Sequence, residues 1–191
     1  MEKIVLASAS PRRRELLAQI GISSPLIAPA DADESVFEDL PPEEMVVSLA
    51  RLKAGVAAKG FPGDHIVIGS DTVVCMDGEV CGKPRDRADA ERMIRALSGR
   101  SHKVLTGLCV IRGDEVKTAL GSAEVWFREL SEGEIAGYCA TAEPYDKAGA
   151  YGIQGLAAAF AERIDGDYYS IVGLPLCALG RILSGMGVSL F

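Results

Sequence analysis

The chain has 191 residues and a formal net charge of −7. Hydrophobic residues make up 48% of it and charged residues 25%, a balance typical of a folded globular protein and not of a disordered or fibrous one. The acidic balance argues against a nucleic-acid partner, because a broad nucleic-acid surface needs a basic stripe to neutralise many phosphates. Any bound phosphate must therefore meet a local positive pocket.

The cysteine pattern points to free thiols. The cysteines are odd in number, widely spaced and contain no C-x-x-C pair, so neither a disulfide framework nor a zinc site is indicated; they are Cys75, Cys81, Cys109, Cys139 and Cys177. The apolar run at residues 4–9 is too short for a signal sequence, and no stretch approaches the roughly 18 apolar residues of a membrane span. We therefore expect a cytoplasmic protein with no membrane partner.

The chain opens with a predicted strand, turn and helix. Residues 3–7 are typical of a buried strand, and "SPRRRELLAQIG" (10–21) follows with a serine at the N-cap, Pro11 at the first helical position and Gly21 just past the end. This turn suits an anion, because Ser8 and Ser10 offer hydroxyls where the helix presents free backbone N–H groups.

Three adjacent arginines, Arg12, Arg13 and Arg14, follow this turn. Guanidinium groups bind phosphate oxygens through paired hydrogen bonds, which favours a phosphate site. A solvated helix face is the alternative interpretation, since successive helical residues point in different directions.

An acidic loop and a second helix come next. Residues 31–44 carry seven acidic side chains and no basic one, which suits a metal cation but is also typical of a solvated loop. "PPEEMVVSLARLKAGVAAKG" (41–60) predicts a helix, because proline and acidic residues open it and glycine closes it. Carboxylate and water ligands favour Mg²⁺ or Mn²⁺, and the candidate ligands are Asp33, Glu34 and Asp71.

The segment "HIVIGSDTVVCMDGEVCGKP" (65–84) predicts a buried strand, a polar interruption at Ser70, Asp71 and Thr72, and a hairpin that turns at Asp77-Gly78. A carboxylate after a buried strand costs desolvation free energy unless it is paired, hydrated or metal-bound, so Asp71 is a candidate functional residue. An aspartate that bonds a neighbouring backbone N–H is the alternative.

The rest of the chain alternates between helices and hairpins. Helices are predicted over residues 86–97, from Ser131 to about Ala140, and over 174–187. Two β runs between 103 and 128 flank a turn at Gly113-Asp114, and a last hairpin is predicted to turn at Asp165-Gly166.

The segment "EPYDKAGAYGIQG" (143–155) predicts a loop, whose glycines let the backbone approach a ligand beside Lys147 and Gln154. Taken together, the elements predict an α/β fold, with a mixed, curved sheet flanked by helices. We expect residues 1–191 to form one domain of two lobes around a central cleft.

The motifs, read in order, resemble those of the Maf family of nucleoside triphosphate pyrophosphatases. The matching stretches run from residue 4 to about 176: "LASASPRRRELL", "DES", "LARLKA", "IGSDTVV", "GKP", "LSGRSH", "TGL", "EPYDKAGAYGIQG" and "DGDYYSIVGLPL". The resemblance implies an ITPase-like fold of two lobes, often dimeric, and an enzyme that uses a divalent cation. It also implies cleavage between the α- and β-phosphates, with release of a nucleoside monophosphate and pyrophosphate.

The resemblance also implies roles for individual residues. The phosphate-binding serine and arginine of the family fall on Ser8 and Arg13, and its lysines on Lys53 and Lys83. Its general base falls on Asp71, which could instead be a metal ligand. Its acidic-loop glutamate falls on Glu34, with Asp33 as the alternative.

Base preference divides the family at three positions. Arg12, Thr72 and Gln154 resemble the subgroup that acts on dTTP and UTP. Thr and Gln can both donate to and accept from a uracil or thymine edge. The alternatives are a pyrophosphatase for 7-methyl-GTP or other modified nucleotides, and a nucleotide-binding regulator of septum formation.

Overall fold

The protein is described over residues 3–190 by a computed structural model, and this part of the chain forms one mixed sheet of seven strands flanked by six α-helices. The strands are Ile4–Leu6 (β1), Leu26–Ile27 (β2), Ile66–Met76 (β3), Glu79–Cys81 (β4), Ser101–Arg112 (β5), Glu115–Phe127 (β6) and Ala161–Gly166 (β7). Their order is β2-β1-β3-β5-β6-β7, and β4 pairs with β3. β1 is parallel to β2 and β3, whereas the β3–β4 and β6–β7 pairs are antiparallel. The predicted α/β class with a mixed sheet is confirmed.

Five of the six helices begin and end close to the predicted positions, and the short helix Tyr168–Val172 was not predicted. They are Pro11–Gln19 (α1), Pro42–Ala58 (α2), Arg87–Leu97 (α3), Glu132–Cys139 (α4), Tyr168–Val172 (α5) and Leu176–Gly185 (α6). Ser131 caps α4 through its side chain, and Glu134 returns the bond to the Ser131 backbone, as the capping box predicts. The predicted hairpin at Asp77-Gly78 is also confirmed, with both residues at positive φ.

The chain divides into two compact units. Unit 1 takes in the described residues of Met1–Asp71, Thr106–Gly121 and Gly173–Phe191, and unit 2 takes in Thr72–Leu105 and Ser122–Val172. The boundaries fall inside β3, β5 and β6, so each of these long strands contributes to both units. The single domain with a central cleft stays a prediction.

Unit 1 is built on close packing between α2 and two strands. Buried side chains of β1, α2, β3 and β5 form its core, among them Val5, Ala50, Ala54 and Val67. Gly107 of β5 lies so close to α2 that a Cβ there would be 2.0 Å from the Val46 carbonyl oxygen. Gly69 of β3 is crowded by α2 in the same way, so the helix is held against both β5 and the strand that carries Asp71.

Unit 2 has an aromatic core. The rings of His102, Phe127 and Tyr151 meet edge to face, with centroids 4.9–5.3 Å apart. Phe127 also contacts Phe160, whose ring packs on Tyr138. This cluster lies beside the segment that carries Gln154.

Two sequence predictions need correction. β3 runs without a break through Ser70, Asp71 and Thr72, because the Ser70 hydroxyl is hydrogen-bonded inside unit 1 and needs no water. The predicted hairpin at Asp165-Gly166 is wrong, since both residues belong to β7 and pair with β6. Among residues 3–190, no helix is both long and apolar enough to cross a membrane.

Candidate active site

Lys53 joins two carboxylates in unit 1. Its Nζ lies 2.6 Å from Asp71 Oδ1 and 2.8 Å from Glu34 Oε1. The side chains of Lys53 and Asp71 are 14% and 13% exposed, whereas Glu34 is 52% exposed. The Lys53–Asp71 ion pair is thus largely buried, and Glu34 lies between it and the solvent.

This pair depends on glycines beneath α2. A Cβ at Gly69 would be 2.4 Å from the Ala50 carbonyl oxygen, and Gly107 is equally crowded by Val46. Real Cβ atoms do not approach backbone so closely, so only glycine permits this helix position. The close approach brings Lys53 of α2 within hydrogen-bonding distance of Asp71 on β3.

A second cluster lies where β1 leads into α1. Arg13 donates from Nη1 to Ser8 Oγ at 3.0 Å and from Nε to the Gly173 carbonyl at 2.9 Å. The Ser10 backbone N–H also donates to Ser8 Oγ, at 3.2 Å. The guanidinium is therefore held in a set orientation at the N-terminus of α1.

Arg13 lies in the electrostatic field of the first cluster. Burial lowers the pKa of its guanidinium, and the carboxylate of Asp71 opposes that effect. Arg12 is half-buried beside it and adds to the lowering of the Arg13 pKa, whereas Arg14 is exposed. Arg13 is anchored by its bonds to Ser8 and Gly173, and the family resemblance assigns it to phosphate.

Ser70 connects the two clusters. Its buried hydroxyl lies 2.9 Å from the carbonyl oxygens of Gly107 and Gly173. The Gly173 carbonyl oxygen is therefore an acceptor for both the Ser70 hydroxyl and the Arg13 guanidinium. Neither Ser70 nor Gly173 was predicted as a site residue; the polar interruption in a buried strand marked Ser70, but nothing in the sequence marked the Gly173 carbonyl.

The two candidate metal ligands of the acidic loop, Asp33 and Glu34, have different partners. Asp33 Oδ1 accepts from the Ser35 N–H at 3.1 Å and from the Ser35 hydroxyl at 2.6 Å, and these bonds lower the pKa of Asp33. Asp33 thus holds the turn at 35–37, while Glu34 reaches Lys53.

A divalent cation fits the donor set of unit 1. The described residues contain no group of three or more His, Cys, Asp or Glu side chains placed to hold a metal by themselves. Mg²⁺ commonly uses one or two carboxylates and takes its other ligands from substrate phosphates and water. Glu34 and Asp71 already face one cation, the Lys53 ammonium, so their oxygens suit this mode of binding.

The remaining predicted site residues lie in unit 2. Thr72 is half-buried on β3, and Lys83 is exposed just after Gly82, whose carbonyl accepts from the Gly149 N–H at 3.0 Å. Gln154 is exposed between Gly152 and Gly155. Unit 1 thus brings together Ser8, Arg12, Arg13, Glu34, Lys53 and Asp71, while Thr72, Lys83 and Gln154 belong to unit 2.

The glycines of the 143–155 segment take part in the protein's own packing, and their approach to a ligand stays a prediction. A Cβ at Gly155 would be 2.2 Å from Glu143 Oε2, and one at Gly152 would be 2.8 Å from Lys147 Cε. These glycines make room for side chains of the protein itself. Glu143, whose carboxylate lies against Gly155, was not predicted as a site residue.

Comparisons with known proteins agree with the motif pattern. The profile of the Maf family, described as Maf-like protein, matches residues 3–186. A dTTP/UTP pyrophosphatase from Symbiobacterium thermophilum is 50% identical over 191 residues, covering 100% of this chain and 97% of that protein. A second from Moorella thermoacetica is 49% identical over 194 residues, covering 100% and 98%. Among solved structures, a HAM1 protein from Coxiella burnetii matches 66% of this chain and 73% of that one, with 18% identity and a TM-score of 0.45.

Proposed function

Because the chain belongs to the Maf family, we propose that it is a nucleoside triphosphate pyrophosphatase that hydrolyses dTTP and UTP to the nucleoside monophosphate and pyrophosphate. The observation that carries this proposal is the cluster of Glu34, Lys53 and Asp71 beside an anchored Arg13. It combines carboxylates for proton transfer with cationic groups for a triphosphate, as phosphoryl-transfer chemistry requires.

Asp71 is the general base in this mechanism. Lys53 bonds to Asp71 Oδ1, so Oδ2 is the oxygen that accepts the proton from the water attacking the α-phosphorus. The position of Lys53 between two carboxylates also holds the Asp71 side chain in one orientation. Proton transfer of this kind requires the base within hydrogen-bonding reach of the water, which a mobile carboxylate would not maintain.

The cationic groups bind the triphosphate. Ser8 and Arg13 stand at the N-terminus of α1, where free backbone N–H groups and the helix dipole also favour an anion. Lys53 and Lys83 add charge, and Arg12, Thr72 and Gln154 select the base. Mg²⁺ or Mn²⁺, held by Glu34, would offset the charge that develops on the phosphate oxygens.

The protein is also proposed to act in the cytoplasm and as a homodimer. The five cysteines are free thiols, which supports the reducing cytoplasm as its location. The family resemblance supports a homodimer, with the nucleotide as the other partner. Light scattering on the purified protein measures this directly, since a mass of one chain would contradict the dimer.

A substrate panel tests the function. The protein is incubated with dTTP, UTP, 7-methyl-GTP and GTP in the presence of Mg²⁺ or Mn²⁺, and pyrophosphate and monophosphate are measured. We expect the highest kcat/KM for dTTP and UTP. Similar values across purines and pyrimidines would point to a broad pyrophosphatase, and binding without pyrophosphate release would point to a regulator.

Asp71→Asn tests the mechanism. The amide keeps an oxygen that can accept from Lys53 but cannot take a proton, so kcat should fall roughly 10²- to 10⁴-fold while UTP affinity changes little. Asp64→Asn is the matched control, because Asp64 is an exposed aspartate of unit 1 that bonds Lys3 and His65. Turnover close to normal in Asp71→Asn would rule out Asp71 as the base.

A further inference from the structure

Glu143 is the first residue of the 143–155 segment, and its carboxylate is bonded to the chain that follows Gln154. Its Oε2 accepts from the Leu156 N–H at 2.8 Å, and its Oε1 accepts from the Ala157 N–H at 3.2 Å. Oε1 also accepts from the Tyr138 hydroxyl at 3.2 Å. One carboxylate thus ties residue 143 to the chain immediately after Gln154.

The carboxylate and the backbone are in close contact on both sides of Gln154. A Cβ at Gly155 would be 2.2 Å from Glu143 Oε2, and a Cβ at Gly152 would be 3.2 Å from Glu143 Oε1. A side chain at residue 155 would collide with the carboxylate, and one at residue 152 would be in tight contact with it. Gln154 is therefore carried on a short span whose two ends both rest against Glu143.

Further bonds keep Glu143 itself in place. Lys147 Nζ donates to the Glu143 carbonyl at 2.8 Å and lies 2.6 Å from Asp146 Oδ1. Tyr138 is buried, and burial together with the nearby Glu143 carboxylate raises the pKa of its phenol, so it remains a donor to Glu143. The Glu143 carboxylate, which accepts the hydrogen bonds from residues 156 and 157, is thus itself held in place by Tyr138 and by the bond that Lys147 makes to the Glu143 backbone.

We propose that Glu143 is a positioning residue for base selection: it fixes the backbone on which Gln154 meets the nucleotide base. The proposal rests on the role given to Gln154 under the proposed function. A glutamine can discriminate between base edges only if its amide is held in one place, since its NH₂ donor and its oxygen acceptor are attached to the same carbon and a small displacement misaligns both with the base. Glu143 supplies that restraint without touching the substrate.

Glu143→Gln is the variant that tests this role. It is nearly isosteric, but its NH₂ group must face either the Leu156 or the Ala157 N–H, and two donors cannot bond. The quantity measured is the ratio of kcat/KM for UTP to kcat/KM for GTP. We expect this ratio to fall roughly ten- to a hundredfold, because displacement by about 1 Å can cost that much. We expect kcat for UTP at saturation to change much less.

Three further variants separate positioning from general destabilisation. Gln154→Ala should lower the same ratio directly, and the double variant should lower it no further than Gln154→Ala alone, because Glu143 acts through Gln154. Glu134→Gln is the matched control: Glu134 also accepts from backbone and Arg128 in unit 2, but it caps α4. It should lower thermal stability and leave the ratio unchanged.

The outcomes distinguish the role of Glu143 from base selection by Gln154. A normal ratio in Glu143→Gln alongside a lowered ratio in Gln154→Ala would overturn the role of Glu143 and leave base selection by Gln154 standing. A normal ratio in Gln154→Ala would overturn base selection by Gln154 and the role of Glu143 with it. If Glu143→Gln does not fold, Tyr138→Phe replaces it: removing one bond to the carboxylate should lower the ratio a few-fold, and no change would overturn the proposal.

Discussion

Asp33 and Glu34 are neighbours in the acidic loop, but their carboxylates have different partners. Asp33 is bonded to Ser35 within its own turn, and Glu34 reaches Lys53. The sequence left both open as metal ligands because the chemistry of the two side chains is nearly the same. The choice depends on the path of the loop, which follows from the turn at 35–37 and from the position of α2.

The metal requirement should therefore change in Glu34→Gln. Replacing a carboxylate ligand by an amide weakens cation binding, so the Mg²⁺ or Mn²⁺ concentration for half-maximal activity should rise at least about tenfold. Asp33→Asn, the adjacent control, should leave that concentration unchanged. A shift in Asp33→Asn and none in Glu34→Gln would reverse the assignment.

His102 makes protein stability depend on pH. It is 3% exposed, its Nε2 lies 2.8 Å from the Tyr151 hydroxyl, and its Nδ1 has no hydrogen-bond partner among residues 3–190. Burial lowers the pKa of His102 to about 4 from 6.5. The folded state therefore favours the neutral ring, while the unfolded state takes up a proton as the pH falls below 6.5.

The free energy of unfolding should fall by about 3 kcal/mol as the pH drops from above 6.5 to 4, because a difference of one pKa unit corresponds to about 1.4 kcal/mol. Urea unfolding at several pH values measures this loss. His102→Phe should remove this component, whereas Tyr151→Phe, which keeps the histidine, should retain it. An identical pH dependence in His102→Phe and the native protein would contradict the prediction.

Among the helices and strands, α2 is the element whose position matters most to the site. Gly107 is crowded by backbone atoms of Val46, which cannot move aside as a flexible side chain could. Gly107→Ala should destabilise the protein by about 1–3 kcal/mol or more, the usual cost of overpacking. It should also lower kcat/KM, because α2 carries Lys53.

Gly55→Ala, a change within α2 itself, is the control. No atom lies within 4 Å of a Cβ at Gly55, and alanine is favoured over glycine in a helix by roughly 0.5–1 kcal/mol. We expect this variant to raise the urea midpoint and keep full activity. A stability loss in Gly55→Ala equal to that in Gly107→Ala would contradict the packing argument, because neither a contact nor helix propensity opposes a methyl group at Gly55.

The sequence predicted most elements because their signals are local. Pro11 and Gly21 delimit α1, and Ser131 with Glu134 begins α4. The failure at β7 has a physical reason: Gly166 pairs with Ala123, and Asp167 then caps α5 by accepting from the Tyr169 N–H and the Ser170 hydroxyl. Here the Asp-Gly pair lies at the end of a strand that leads into a helix. The same pair is also the usual sequence of a hairpin turn, so the sequence alone does not distinguish the two.

At the scale of the whole molecule, the candidate active site is harder to predict than the helices and strands, because the residues that bond to one another in it are far apart in the sequence. Arg13 is bonded to a carbonyl 160 residues away, and Lys53 to a carboxylate 18 residues away. The chemically active side chains could be chosen from their motifs. The groups that hold them, such as the Gly173 carbonyl and Glu143, could not, because a backbone oxygen or a loop carboxylate has no pattern of its own.

The cysteines provide a test that covers both units. Of the five thiols, three are buried, Cys81 is half-buried and Cys177 on α6 is exposed. Burial raises the pKa of Cys109 to about 11 and also raises that of Cys81 and Cys139. Since the thiolate is the reactive form, these three should react slowly for two reasons, low access and low ionisation.

A chromogenic disulfide reagent should therefore modify one thiol rapidly in the native protein at pH 8, and all five after denaturation. Cys177→Ser should abolish the fast phase, whereas Cys109→Ser should leave it intact. The slow rate at which the other four thiols are labelled would then measure local unfolding of the structure around them. Two or more fast thiols would contradict the packing around the remaining cysteines, and a native protein with fewer than five thiols after denaturation without reductant would contradict their free state.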